Sequence, residues 1–86
     1  MDKLVEKVRK YLDDNNIHYM ENSVTFAGHR RDAPQIDGTK RDVYIVTYQV
    51  ENNKDDPFGY SLYFVNVDYK TRRLLSILGP QSFEVL

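Results

Sequence analysis

The apolar positions at the start of the chain recur at the spacing of one helix face. The residues at these steps of three and four are Leu4, Val5, Val8, Tyr11 and Leu12, and charged residues fill most positions between them. This pattern predicts an amphipathic helix over about residues 3–14. Polar, turn-forming residues at 13–16 are typical of a helix that ends there.

Residues 27–42 break the apolar pattern. Their sixteen positions hold only three apolar residues, together with two glycines and one proline. Such a composition is typical of a long surface loop, and loops of this length are often functional or mobile. The sequence therefore predicts a mobile loop over about 27–42. Before it, residues 17–20 and 24–27 are predicted to be extended, either as a hairpin or as one bent strand.

Three later segments have the β-branched and aromatic composition of strands, at about 43–50, 60–68 and 73–78. Polar connections join them, and no second helical segment is available to link parallel strands. The tail at 81–86 keeps three apolar residues and could add an edge strand. The predicted fold is α+β: an N-terminal helix packs on one face of a four- or five-stranded antiparallel meander sheet, in a single domain covering 1–86.

The composition argues against several kinds of functional site and indicates no particular function. Twelve Lys and Arg against thirteen Asp and Glu give a net charge of −1, which argues against a dedicated nucleic-acid binder without excluding one. The chain has no cysteine, and its two histidines lack the spacing of a metal motif. We expect no metal and no small-molecule cofactor. Without a long apolar run, we expect no membrane association and a cytoplasmic location.

Aromatic residues concentrate in the predicted strands. Seven of the eleven lie between residues 43 and 78, and five of those seven are tyrosines. One helix cannot cover both faces of such a sheet, so aromatic surface is left for a partner, unless the tyrosine hydroxyls simply reach solvent at the sheet edge. The predicted contact residues are Tyr44, Tyr48, Tyr60 and Tyr63, with Arg30, Arg31, Arg72 and Arg73 orienting the partner.

Cations cluster in two segments, residues 28–41 and 70–73. If the first segment folds back, His29 lies beside four cations, an arrangement suited to acid or base chemistry on RNA. Interleaved aspartates favour instead a solvated, partly ion-paired loop. Acidic residues in the 51–56 connection predict a molecule with two ends of opposite charge. Spacing alone leaves open whether the two basic segments lie together.

Residues 63–75, YFVNVDYKTRRLL, with Gly79 and Pro80 after them, resemble the V-D-x-K-T-G-x-L-L hairpin of PepSY-like domains and of small bacterial immunity proteins that neutralise polymorphic toxins. Arg72 stands where those sequences carry glycine. The resemblance covers about a fifth of the chain. It implies a non-catalytic helix-on-sheet module that binds a protein or a peptide.

The order of elements is also similar to that of small HicA-type toxin ribonucleases, in which an N-terminal helix leads to a strand bearing a histidine. The helical residues 5–12, the N-N-I at 15–17 and the G-H-R-R at 28–31 follow that order, without a paired histidine. This resemblance implies an RNA-directed ribonuclease or RNA binder with His29 as its catalytic residue.

The first hypothesis is thus a non-catalytic, bacterial-type module that binds a protein partner or forms a homo-oligomer such as a dimer. The PepSY and immunity resemblance adds an immunity or inhibitor role. The alternative is the HicA-like protein that acts on RNA through His29 and the basic segments.

Overall fold

The computed structural model describes residues 2–52 and 59–86, in which one helix packs on a five-stranded sheet. The helix α1 covers Asp2–Asp14. The strands are β1 (Thr25–Pro34), β2 (Lys40–Glu51), β3 (Tyr60–Asp68), β4 (Leu74–Leu78) and β5 (Phe83–Val85). All neighbouring strands are antiparallel, and their order in the sheet is their order in the chain. The predicted α+β meander is confirmed, while the acidic positions Asp55 and Asp56 lie outside the described residues.

The helix ends where its polar C-terminal residues predict. Asn16 adopts the left-handed conformation, with φ of 55°. The N–H of Ile17 donates to the carbonyl of Leu12 at 2.9 Å, and the N–H of Asn16 donates to the carbonyl of Asp13 at 3.2 Å. These two bonds form a Schellman motif, which satisfies carbonyl groups that the helix itself leaves unpaired.

The core lies between α1 and one face of the sheet. Every fourth residue of the helix from Leu4 to Leu12 is at most 2% exposed. On the sheet, Val46 of β2 lies opposite Val65 of β3, and both are fully buried. The buried cluster comprises Leu4, Val8, Leu12, Val24, Tyr44, Val46, Tyr48, Val65, Val67 and Ile77. We call this side of the sheet the helix-covered face and the opposite side the helix-free face.

The prediction of a loop over 27–42 is wrong. Residues 27–34 belong to β1 and residues 40–42 to β2, so only 35–39 connect the strands. The register of β1 shifts between Phe26 and Gly28 and again between Arg30 and Ala33. β1 is an edge strand, and edge strands commonly carry charges and bulges that discourage further pairing. That polar composition is what made the strand resemble a loop in sequence.

Candidate functional site

Two of the four tyrosines predicted to contact a partner lie in the core. Tyr44 and Tyr48 are 8% and 2% exposed, because α1 covers their side of β2. Burial raises the pKa of the Tyr48 hydroxyl to about 12. The Tyr48 ring stacks on that of Tyr63, with centroids 5.1 Å apart. The accessibility expected for Tyr44 and Tyr48 is therefore wrong.

The helix-free face carries the exposed apolar surface instead. Side chains alternate along each strand, so the even-numbered residues of β3 point away from buried Val65 and Val67. In the register, Phe64 lies opposite Leu78, and Leu78 lies opposite Phe83. Apart from Tyr60, the exposed large residues on this face of β3, β4 and β5 are Leu62, Phe64, Leu78, Phe83 and Val85, at 37% to 56% exposure. We call these five residues the apolar patch.

A cleft of about 210 Å³ borders the apolar patch. Residues 33–36, at the turn between β1 and β2, line one side, while Leu78, Phe83 and Val85 line the other. Asn66 and Ser76 also line the cleft and share a hydrogen bond of 3.0 Å. The hairpin of β1 and β2 thus folds over part of the helix-free face and leaves a recess beside the patch.

The fold brings the two basic segments to one end of the sheet. Because consecutive strands are antiparallel, the β1–β2 turn and the β3–β4 turn lie at the same end. The N–H of Tyr69 donates to the carbonyl of Asp42 at 3.0 Å, which ties the second turn to β2. We call this region the basic end; its cationic residues are Arg30, Arg31, Lys40, Arg41, Lys70, Arg72 and Arg73.

Asp68 fixes the β3–β4 turn at the basic end. Its Oδ1 accepts from the N–H groups of Lys70 and Thr71 at 2.8 and 3.1 Å, and its Oδ2 accepts from Arg41 Nη1 at 2.9 Å. The backbone donors of Thr71 and Lys70, together with the Arg41 guanidinium, lower the pKa of this carboxyl. Arg72 in the same turn has φ of 64°, the left-handed region that glycine adopts most easily.

His29 belongs to a cluster of three rings at the basic end. Its centroid lies 4.8 Å from that of Tyr69 and 5.8 Å from that of Tyr44, and Tyr44 and Tyr69 are 5.0 Å apart. We call His29, Tyr44 and Tyr69 the ring cluster. Within residues 2–52 and 59–86, His29 contacts rings rather than a carboxylate or another histidine. A catalytic role for His29 stays a prediction.

The other predicted contact residues divide between the two faces. Tyr60 is 49% exposed and lies opposite Glu51, at the far end of the helix-free face. Arg30 lines the cleft on that same face. In contrast, Tyr63 packs against the core and Arg72 lies 5.2 Å from the centroid of Tyr44. Arg31 and Arg73 are exposed. The eight predicted residues therefore do not form one continuous surface.

The described part of the chain, residues 2–52 and 59–86, holds no group of three or more histidine or acidic side chains placed to bind a metal ion. Nor does it contain a helix long and apolar enough to cross a membrane.

Comparison with protein-family models, with curated proteins and with solved structures finds no match to this chain. The resemblances to PepSY-like, immunity and HicA-type proteins therefore stay predictions.

Proposed function

We propose that this chain is a non-catalytic protein-binding module that self-associates through its helix-free face. The observation that carries the proposal is the apolar patch, in which five neighbouring large side chains are exposed. Contiguous apolar patches on protein surfaces commonly mark interaction sites. Covering the patch with another protein surface removes it from water and supplies the driving force for association.

The distribution of charge on the helix-free face favours a second copy of the chain as the occupant. Arg30 of β1 lies opposite Val43 of β2, near the basic end. Glu51 lies eight residues beyond Val43 along β2. At about 3.3 Å per residue, the two charges are separated by about 26 Å along the strands. The apolar patch lies to one side of the line between them, on β3, β4 and β5.

Such a face is complementary to itself. Two copies can pack face to face about a two-fold axis that lies in the plane of the interface and runs perpendicular to the strands. In this arrangement, the Arg30 end of one copy lies over the Glu51 end of the other. The same operation places each apolar patch over its counterpart, as the isologous interface of a symmetric dimer requires. The immunity or inhibitor role implied by the resemblance would place another protein on this face instead, and the experiment below separates the two occupants.

Sedimentation of the purified chain tests the proposal. We expect a monomer–dimer equilibrium between low micromolar and submillimolar concentrations. Leu78→Glu places a charge in the patch and should weaken dimerisation at least about 100-fold, because an unpaired charge would be buried in the interface. The matched control is Met20→Glu, which changes an apolar residue of similar exposure outside the sheet and should leave the equilibrium unchanged.

Charge reversal tests the orientation of the two copies. Arg30→Glu and Glu51→Lys should each weaken dimerisation, and the double variant Arg30→Glu/Glu51→Lys should recover it. A chain that remains monomeric at submillimolar concentration would contradict the second copy as occupant. So would a Leu78→Glu variant that dimerises as the wild type does while keeping its helix and sheet circular dichroism.

A further inference from the structure

The ring cluster at the basic end presents two accessible rings. Tyr44 is 8% exposed, whereas Tyr69 is 42% exposed and His29 is also exposed. The planes of His29 and Tyr44 are tilted by 34° and 35° from the plane of Tyr69. Tyr69 and His29 therefore leave aromatic ring surface open to solvent beside the buried Tyr44. An aromatic ligand can continue the stack without any rearrangement of the buried tyrosine.

Cationic residues of the β3–β4 turn lie next to these rings. The Arg72 guanidinium lies 5.2 Å from the centroid of Tyr44, and Lys7 Nζ donates to the carbonyl of Arg72. Lys70 is adjacent to Tyr69 in the same turn, whose conformation Asp68 fixes. The exposed turn therefore presents cationic side chains beside an exposed ring.

The nearby carboxylates do not pair with these cations. Among residues 2–52 and 59–86 the ion pair is Arg41 with Asp68, so neither the Lys70 ammonium nor the Arg72 guanidinium forms an ion pair with a carboxylate there. Two of the other aspartates at this end accept internal hydrogen bonds through a carboxylate oxygen: Asp42 from the N–H of Asp32, and Asp37 from the N–H of Thr39. Lys70 and Arg72 are thus available to an anionic ligand.

We infer that the basic end binds single-stranded nucleic acid, with a base stacked on Tyr69 and neighbouring phosphates held by Lys70 and Arg72. Single strands expose both the base faces and the phosphates, and proteins bind them with aromatic rings set among cations. A duplex hides its base faces and would use the cations alone. This surface is separate from the apolar patch, so the inference does not depend on self-association.

Fluorescence anisotropy with a short labelled oligoadenylate RNA tests the inference on the 86-residue chain. Binding should appear at low salt and weaken as salt rises, because released counterions drive phosphate binding. Tyr69→Ala should weaken binding about tenfold, the loss expected for one stacked base. Lys70→Gln should also lower the slope of log affinity against log salt by about one.

Two control variants separate this site from the rest of the molecule. Tyr60→Ala removes a tyrosine of similar exposure at the opposite end of the sheet and should leave RNA binding unchanged. Leu78→Glu, designed to disrupt the apolar patch, should also bind RNA as the wild type does. RNA binding lost equally in Tyr60→Ala would overturn the assignment to the ring cluster.

Competition experiments test whether the site recognises a nucleic-acid strand, a single nucleotide or negative charge alone. Adenosine monophosphate and polyphosphate should compete poorly with the oligonucleotide, since each supplies only part of the ligand. Equal competition by the monophosphate would indicate a mononucleotide site, and equal competition by polyphosphate or polyglutamate would indicate a surface that recognises charge alone. Either result, or no binding at low salt, would overturn the inference.

Discussion

Leu12→Ala should lower the free energy of unfolding by about 3 kcal/mol, whereas Leu78→Ala should lower it by less than about 1 kcal/mol. Leu12 is fully buried beneath the sheet, and Leu78 is 47% exposed on the helix-free face. The same three heavy atoms are deleted in both variants. Only the first deletion removes contacts from a close-packed core and leaves a cavity there.

Urea unfolding followed by circular dichroism measures both effects. The protein concentration should be low enough that wild-type chains are monomeric, since dimerisation would add to the cost of Leu78→Ala. Alanine favours helix formation more than leucine does, so helix propensity cannot account for a loss at residue 12. Equal costs at the two positions would contradict the assignment of the helix-covered and helix-free faces.

Asp68→Ala should lower the free energy of unfolding by about 2 kcal/mol at neutral pH, because the carboxylate accepts two backbone hydrogen bonds and one from Arg41. Its pKa is lower in the folded chain than in the unfolded chain. The contribution is therefore fully present above the unfolded value of about 3.9, and it is lost as pH falls through the folded value.

The pH dependence of the free energy of unfolding shows whether the charge of Asp68 stabilises the turn. Between about pH 5 and about pH 2, acidification should destabilise the wild type more than Asp68→Asn, which cannot titrate at this position. Arg41→Gln should add little cost in the Asp68→Asn background, because the ion pair is already lost. An unchanged pH dependence in Asp68→Asn would show that Asp68 does not stabilise the turn through its charge.

Local patterns in the sequence were enough to predict the helix and the three central strands. The repeat from Leu4 to Leu12 has helical spacing, and residues 43–50 are rich in β-branched and aromatic side chains. Both patterns are typical of elements that pack in a core. The sequence predicts only the start of β1, as an extended segment at 24–27. From residue 28 onward, the charges and bulges of this edge strand remove the apolar pattern of an inner strand.

The alternation of side chains along the strands was not enough to predict the candidate surfaces. Even and odd residues of β2 and β3 point to opposite faces, but that pattern does not say which face the helix covers. The predicted exposure of Tyr44 and Tyr48 is therefore wrong. The meeting of the two basic segments follows from the turn positions of a meander, which required β1 to be identified as a strand.

Hydroxyl-radical footprinting of the wild-type chain at two concentrations tests the central claim most directly, because it reports which side chains water reaches. In dilute solution, Leu78 and Phe83 should be oxidised readily and Tyr48 should be protected. In concentrated solution, Leu78 and Phe83 should become protected while Tyr69 stays reactive. Ready oxidation of Tyr48 in dilute solution, or no protection of Leu78 and Phe83 on concentration, would contradict an interface on the helix-free face.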